Sequence, residues 1–490
     1  MLVRGLLAPC GYESRWIMHV VRRVPPVLSL AALVTAAVSA PAGARQTVPA
    51  TALDAVAAWN ANAGKAAVAA CISPEGPGPA EARLYAMTHV AVHDALNAIE
   101  RRSRPYAYDA RARRGTSPDA AVAAAAHDVL VPGLRELSAF AVPACIDAGV
   151  ASVEADYVAA LAAVRDGPAK TRGVALGRAA AAAILAVRAT DRLTELLVPD
   201  FTYAQGTAPG EYRFTPGTPL AFGPRLGEAK PFVLNDGSQF RPGPPHAVTD
   251  ARYTADFNEV KRLGGDGVTT SSARTADQTE IALSWVESSP LRWNRIARIA
   301  SARAGLDRWE NARLFALLNM ALTDGYIGTF ETKYHYNYWR PVTAIQLAAT
   351  DGNPETVADP TWTPLHAPTP PIPDYDSGHA VEGGTGAAVL KRFFGTDHIR
   401  FSTCSTTLPA GGQCADPAPT VRRYSSFSQA AEENGLSRIL IGYHFREAVE
   451  VGIDHGTKIG RWTVDHSLRR VRHRHDARRA QHSGDDRDKK

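Results

Sequence analysis

Seven side chains between residues 333 and 444 have the types and order needed to enclose a tetrahedral oxyanion. The first segment, Lys333-Tyr-His-Tyr-Asn-Tyr-Trp-Arg340-Pro341, offers two cations seven residues apart. Seven residues are about two helical turns, so a continuous helix would present both on nearly one face. Arg supplies a planar fork of donors and Lys a mobile point charge, a natural pair for such an anion. The second segment is Pro373-Asp374-Tyr375-Asp376-Ser377-Gly378-His379, running into AVEGGTGAAVLKRFFG. Its prolines stop any preceding helix, and Asp376 or Ser377 can cap a new one. The first amides of that helix would favour an anion, with Gly378 allowing close backbone approach and Ser377 adding a hydroxyl. His379 can exchange a proton near neutral pH. In the third segment, Ser437-Arg438-Ile-Leu-Ile-Gly442-Tyr443-His444, a single helix would put Arg438 and His444 on flanking faces. Gly442 would thin that helix beside His444.

Each segment alone also suits an ordinary solvated face or packed histidine; the combination is what carries information. The order Lys-x6-Arg-Pro, Ser-Gly-His, Ser-Arg-x5-His resembles the signature shared by three groups. These are the vanadium-dependent haloperoxidases, the phosphatidic-acid-phosphatase-type enzymes and the bacterial class A acid phosphatases. The stretches RLYAMTHVAVHDALNAIERRSRPY (83–106) and LSWVESSPLRWNRIARIA (283–300) are similar in texture to the bacterial haloperoxidase branch.

The resemblance implies a role for each residue. Lys333, Arg340 and Arg438 would neutralise oxygens of bound vanadate, with Ser377 and the Gly378 amide as further donors. His444 would be the axial vanadium ligand, and His379 the acid–base residue on the other side. Asp376 departs from the proline usual before Ser377, and would add negative charge near the anion. Ala448 stands where the phosphatase branch often carries an Asp that orients the last histidine. Glu447 lies one residue short, and Asp454 or Asp324 could supply that acid instead. Ile372 matches neither the His nor the Phe linked to halide preference, so the halide is left open.

The function implied is a vanadium-dependent haloperoxidase that oxidises halide with hydrogen peroxide to hypohalous acid, which then halogenates an organic acceptor. The alternative is an acid phosphatase holding phosphate in the same cage and acting through a phosphohistidine at His444. A third is a non-catalytic anion-binding protein, supported by Asp376 and Ala448 alone. Residue types alone do not tell vanadate from phosphate. Length favours the first, since the simple phosphatases usually have one bundle and this chain shows two helical blocks.

The elements that must position these groups are helices. Ala-rich periodic stretches cover roughly 80–100, 118–138, 146–166 and 169–194, then 276–347, 378–395 and 425–467. The expected fold is all-α: an N-terminal bundle over 45–196, a Pro/Gly-rich crossover over 197–275, and a C-terminal bundle over 276–468 holding the site. A faint internal repeat aligns Ala82-Arg-Leu-Tyr-Ala-Met87 with Ala312-Arg-Leu-Phe-Ala-Leu317, and without a gap Asp94 with Asp324. His89 and His93 have zinc-compatible spacing, yet no Glu lies between them, and structural hydrogen bonding is the preferred reading. The run Tyr334, Tyr336, Tyr338, Trp339 could line a substrate mouth or pack in the core.

The chain has 490 residues and a net charge of +5. Residues 469–490 hold nine Lys/Arg and four Asp/Glu, so 9 − 4 = +5 sits in a tail too polar to form a core. A disordered tail is expected, and no nucleic-acid partner. Residues 1–44 read as a signal peptide, with Arg22-Arg23 before the apolar run Val27–Ala40 and Met18 a possible true start. No other stretch is apolar enough for a membrane span, so a secreted or periplasmic protein is expected. Of five cysteines, Cys10 lies in the signal region. Cys404 and Cys414 flank a Pro-Gly-Gly loop and suit a local disulfide, leaving Cys71 for Cys145. The oligomeric state is not legible.

Overall fold

Side-chain caps fix where several helices of this chain begin. A computed structural model describes residues 54–408, 414 and 420–471, all within one compact unit. Asp54 accepts from the first amides of α1 (Ala55–Ala69), and Ser117 from Ala120 in α3 (Pro118–Glu136). Between them runs α2 (Gly78–Ile99), and after them α4 (Pro143–Ala162), α5 (Pro168–Arg188) and the single turn α6 (Leu193–Leu196). Two-residue strands β1 (Pro199–Asp200) and β2 (Ala221–Phe222) pair antiparallel. Next come α7 (Ala251–Leu263), α8 (Ala276–Ser284), α9 (Ser289–Ala304), α10 (Arg308–Tyr336) and α11 (Pro341–Leu347). α12 (Gly378–Phe394), the hairpin β3 (Phe401–Thr403) and β4 (Arg422–Tyr424), α13 (Phe427–Leu440) and α14 (Arg446–His466) complete the chain. Reciprocal capping boxes, Thr275 with Gln278 and Asp307 with Glu310, start α8 and α10. The architecture is all-α, as the periodicity predicts.

α2 and α10 form the spine. Of α2, 20 of 22 residues are buried, and of α10 21 of 29, because other helices cover α2 and the middle of α10 on all sides. The repeat seen in the sequence has a structural counterpart here. Asp94 on α2 accepts hydrogen bonds from three successive amides, Tyr106, Ala107 and Tyr108, at 2.7–3.2 Å. Asp324 on α10 does the same for Phe232, Val233 and Leu234 at 2.6–3.0 Å. The two clamps adjoin, since the Tyr106 hydroxyl donates to Phe232 O at 2.9 Å. Asp324 is therefore a fold residue and not the partner of His444. Removing either carboxylate strands three buried or half-buried amide donors, so Asp94→Ala and Asp324→Ala are each expected to cost about 3 kcal/mol in urea unfolding. A loss below about 1 kcal/mol would show that the amides find other partners.

The crossover is irregular through residue 250, apart from β1, β2 and a 3-10 turn, but α7 then interrupts the expected 197–275 segment. The Pro/Gly signal ends near residue 247; beyond it Asp250 caps a helix that buries Tyr253, Phe257 and Val260 on one stripe. The aromatic run of the first segment holds the crossover in place. Tyr334 donates to Phe222 O at 2.7 Å, Tyr336 to Pro242 O at 2.7 Å and Tyr338 to His246 O at 2.9 Å.

α12 carries the Ser-Gly-His segment and is held backbone to backbone on α14. A Cβ on Gly452 would stand 2.9 Å from Ser377 O, and one on Gly460 2.7 Å from Thr385 O; one on Gly456 would collide with Val381 O. This four-residue glycine seam fixes the start of α12 against α14. Cys71 pairs with Cys145 and Cys404 with Cys414. The signal segment 1–44, Met18 as a start and the tail beyond 471 lie outside the described residues. The first residues of the expected disordered tail are ordered: Arg469 O accepts from Arg104 N and Val471 N donates to Arg102 O. Among the described residues no helix is long and apolar enough to cross a membrane.

Candidate active site

Six of the seven sequence-predicted residues line one cavity and Ser377 adjoins it next to Gly378, although two of the three segments do so differently from expected. Lys333 lies in the last turn of α10 and is fully buried. Arg340 does not share that helix. Asn337 takes a left-handed conformation (φ 51°) and ends α10, and Arg340 becomes the N-cap of α11. Asn tolerates this conformation, and here Tyr203 holds its side chain at 3.0 Å. Lys333 Nζ donates to Pro373 O and Asp374 O at 2.8 and 2.9 Å. Arg340 donates from Nε to Ile372 O at 2.6 Å and from Nη1 to Tyr443 O at 2.9 Å. Both cations thus clamp the loop that leads to Ser377.

Arg438 and His444 also belong to different elements. α13 ends at Leu440, and Gly442 turns the chain at φ +89°. Tyr443 N and His444 N then both donate to Arg438 O, at 3.0 and 3.2 Å. The six-residue spacing is that of a helix end folding back, so His444 hangs from the carbonyl of Arg438 itself. Gly442 gives no room to a ligand; it packs against Gly264, Trp362 and Pro364.

Ser377 is the N-cap of α12, but its hydroxyl makes no capping bond. Asp376 does not cap either. Its carboxylate is turned away from the site, accepting from Thr329 Oγ1 at 2.6 Å and lying 2.8 Å from His455 Nδ1. Its charge is spent there. Ala448, where an orienting acid was sought, instead accepts the Ser377 amide on its carbonyl at 2.9 Å. Glu447 pairs with His246, and Asp454 with Lys458.

The acid beside His444 is one that sequence reasoning passed over. Asp374 Oδ1 lies 2.9 Å from His444 Nδ1, off the line of a straight hydrogen bond, and 4.0 Å from Arg340 Nη1. The signal was present, three residues before Ser377, in the segment already singled out. Arg340 Nη1 stands 2.9 Å from His444 Nε2. The same Nη1 is also 3.4 Å from Nδ1, so it is the Asp374 oxygen beside Nδ1 that favours the tautomer with the proton on Nδ1 and the lone pair on Nε2. Burial and the cations Arg340, Lys333 and Arg438 hold the His444 pKa well below the usual range, so the ring is neutral. Burial likewise lowers His379, reinforced by Arg438, Lys333 and Arg340. Burial brings Lys333 down to about 7 and Arg438 to about 10, and pushes Asp374 up to about 7.

Lys333, Arg340, Gly378, His379, Arg438 and His444 line a cavity of about 330 Å³, together with Tyr443, Glu382, Phe222, Phe330 and the Pro74–Pro79 segment that leads into α2. The N-terminal half of the chain thus closes a site built by the C-terminal half. The donors fit a tetrahedral oxyanion. Ser377 Oγ, Arg438 Nη2 and His379 Nε2 are buried without a partner in the protein, and Gly378 has no Cβ to block the helix start. Three buried cations share one cavity, an arrangement that costs desolvation energy and that a bound anion offsets. His89 and His93 lie elsewhere on α2, bonded to Asn60 and to Asp94 and Ser103. Among the described residues no group of three or more His, Cys, Asp or Glu is placed to hold a metal ion.

Comparison with known proteins agrees with this geometry. Residues 313–473 match the family model described as the VCPO second helical-bundle domain, a range that holds all seven residues. Vanadium chloroperoxidase from Curvularia inaequalis is 28% identical over 279 residues, covering 46% of this chain and 45% of that protein. The chain therefore spans somewhat under half the length of that relative. A crystal structure described as the first bacterial vanadium-dependent iodoperoxidase superposes with a TM-score of 0.68 at 22% identity, covering 86% of this chain and 97% of the other. A holo-type bacterial vanadium-dependent chloroperoxidase gives 0.61 at 17% identity, covering 82% and 94%. Residues 313–473 thus match the VCPO second helical-bundle domain, and the chain has the fold of the bacterial vanadium haloperoxidases.

Proposed function

We propose that the protein is an exported vanadium-dependent haloperoxidase that oxidises halide with hydrogen peroxide to hypohalous acid, which halogenates an organic acceptor. The observation that carries the reading is the convergence of Lys333, Arg340, Gly378, His379, Arg438 and His444 on one cavity, with the unpartnered Ser377 hydroxyl beside Gly378. Vanadate, when bound, supplies a d⁰ Lewis acid that activates peroxide toward halide.

The chain's own residues do the rest. Lys333, Arg340 and Arg438 hold the oxyanion by charge, and Ser377 Oγ with the Gly378 amide adds donors at the start of α12. His444 presents Nε2 as the metal ligand, its tautomer fixed by Asp374 behind Nδ1. His379, neutral because it is buried and surrounded by three cations, is placed to take a proton from peroxide transiently at Nε2. Export to a secreted or periplasmic location is supported by the two disulfides and by the basic-then-apolar N-terminal sequence.

The test is reconstitution of purified apo-protein with orthovanadate, followed by peroxide, bromide or iodide, and a phenolic dye. Vanadate-dependent dye halogenation is expected, with inorganic phosphate competing. Hydrolysis of p-nitrophenyl phosphate inhibited by vanadate, without halogenation, would replace this reading with the phosphatase. Inactivity in both assays with measurable phosphate binding would leave only an anion-binding protein.

A further inference from the structure

One buried acid on the cavity wall has no role in the scheme above. Glu382 lies on α12 three residues after His379, is 1% exposed and lines the same cavity. Its Oε2 has no partner in the protein, and Oε1 is the nearest group to where a Cβ on Gly378 would stand, at 3.9 Å. The carboxyl therefore closes the cavity beside the amide that would receive the anion. A carboxylate there would repel a bound oxyanion, whereas a carboxylic acid can donate a hydrogen bond to it. The surroundings favour the acid. Burial pushes Glu382 up to about 7, against the Ser289 hydroxyl on α9, the Tyr326 hydroxyl on α10 and the Arg438 cation on α13, and with Glu81 on α2 adding like charge.

We propose that Glu382 is a further residue of the oxyanion site, a carboxylic acid that donates its proton to an oxygen of the bound group and recovers it from solvent. What the proton is for rests on the haloperoxidase reading. In H₂O₂ + X⁻ + H⁺ → HOX + H₂O the O–O bond breaks, halide loses two electrons, peroxide gains two, and one proton is consumed. His379 does not hold that proton at rest, because burial and the cations around it keep its ring unprotonated. Glu382 can hold it.

Tungstate serves as the probe, since this tetrahedral dianion does not titrate between pH 6 and 8. Binding to the full-length protein would be followed by isothermal titration calorimetry across that range, in buffers of differing ionisation heat. A bound dianion raises the Glu382 pKa, so the wild type is expected to take up a proton on binding above about pH 7. Glu382→Gln should take up nearly one proton less, and its affinity should fall less between pH 6 and 8, by about tenfold. Lys333 and His379 also face the cavity and Asp374 lies beside His444, but they are common to both proteins, so the difference isolates Glu382. Equal proton uptake in the two proteins would overturn the proposal and leave the oxyanion site standing. Absence of tungstate binding by the folded wild type would overturn both. Should Glu382→Gln not fold, Tyr326→Phe gives the second arm. Loss of a hydroxyl that favours the carboxylate should move the midpoint of proton uptake to higher pH, and an unmoved midpoint would count against the assignment.

Discussion

His444→Ala is expected to abolish halide oxidation, with turnover falling at least about a thousandfold. The imidazole is the group that would ligate the metal, and the Asp374 carboxyl beside Nδ1 favours the tautomer that leaves the lone pair on Nε2. No neighbouring side chain can replace it as a ligand. The cations do not depend on it, because Lys333 and Arg340 are held by backbone carbonyls. Phosphate should therefore still bind, within about tenfold of wild type. That split separates loss of the ligand from collapse of the cage. A variant with native circular dichroism that keeps a tenth or more of the activity would remove His444 from the centre of the mechanism.

Asp374→Asn is expected to lower turnover by about 10- to 100-fold without weakening oxyanion binding. The carboxylate has two opposed effects. Behind His444 it fixes the proton on Nδ1, and it is also the negative charge beside Arg340 and Lys333. Replacing it by an amide loosens the ring but makes the cavity more positive, so tungstate affinity should hold or tighten while turnover drops. Steady-state kinetics and calorimetry read the two effects separately. Parallel loss of both would mean that Asp374 only maintains the fold.

Much of the site was legible because its signals are local in sequence. Lys333 with Arg340, Ser377 to His379, and Arg438 with His444 sit at spacings set by short loops, and all seven meet in the structure. The reasons given for two of those spacings were wrong. A seven-residue interval looks helical until Asn337 enters the left-handed region, and a six-residue one until Gly442 folds the chain back on Arg438. Both breaks rest on hydrogen bonds to groups distant in sequence or on packing against them. Tyr203 holds Asn337 and Gly264 abuts Gly442, so propensity alone could not reveal them.

The acids were harder to read, because a carboxylate's partner is set by tertiary packing. Asp376 looked like an intruding charge and instead bonds Thr329 and His455. Asp324 looked like a possible orienting acid and instead clamps three amides of the crossover. Asp374, inside the segment already identified, does the orienting. The aligned Asp94 and Asp324 show the reverse case, in which a weak repeat in the sequence corresponds to the same clamp built twice. α7 was missed because the Pro/Gly texture before residue 247 coloured the amphipathic stretch that follows it.

The most direct test of the account is a crystal structure of the protein with orthovanadate, with the metal located by its anomalous scattering. The account predicts vanadium bonded to His444 Nε2, with its oxygens held by Lys333, Arg340, Arg438, Ser377 Oγ and the Gly378 amide. Vanadium found away from His444, or no occupancy at saturating vanadate in a folded protein, would contradict it.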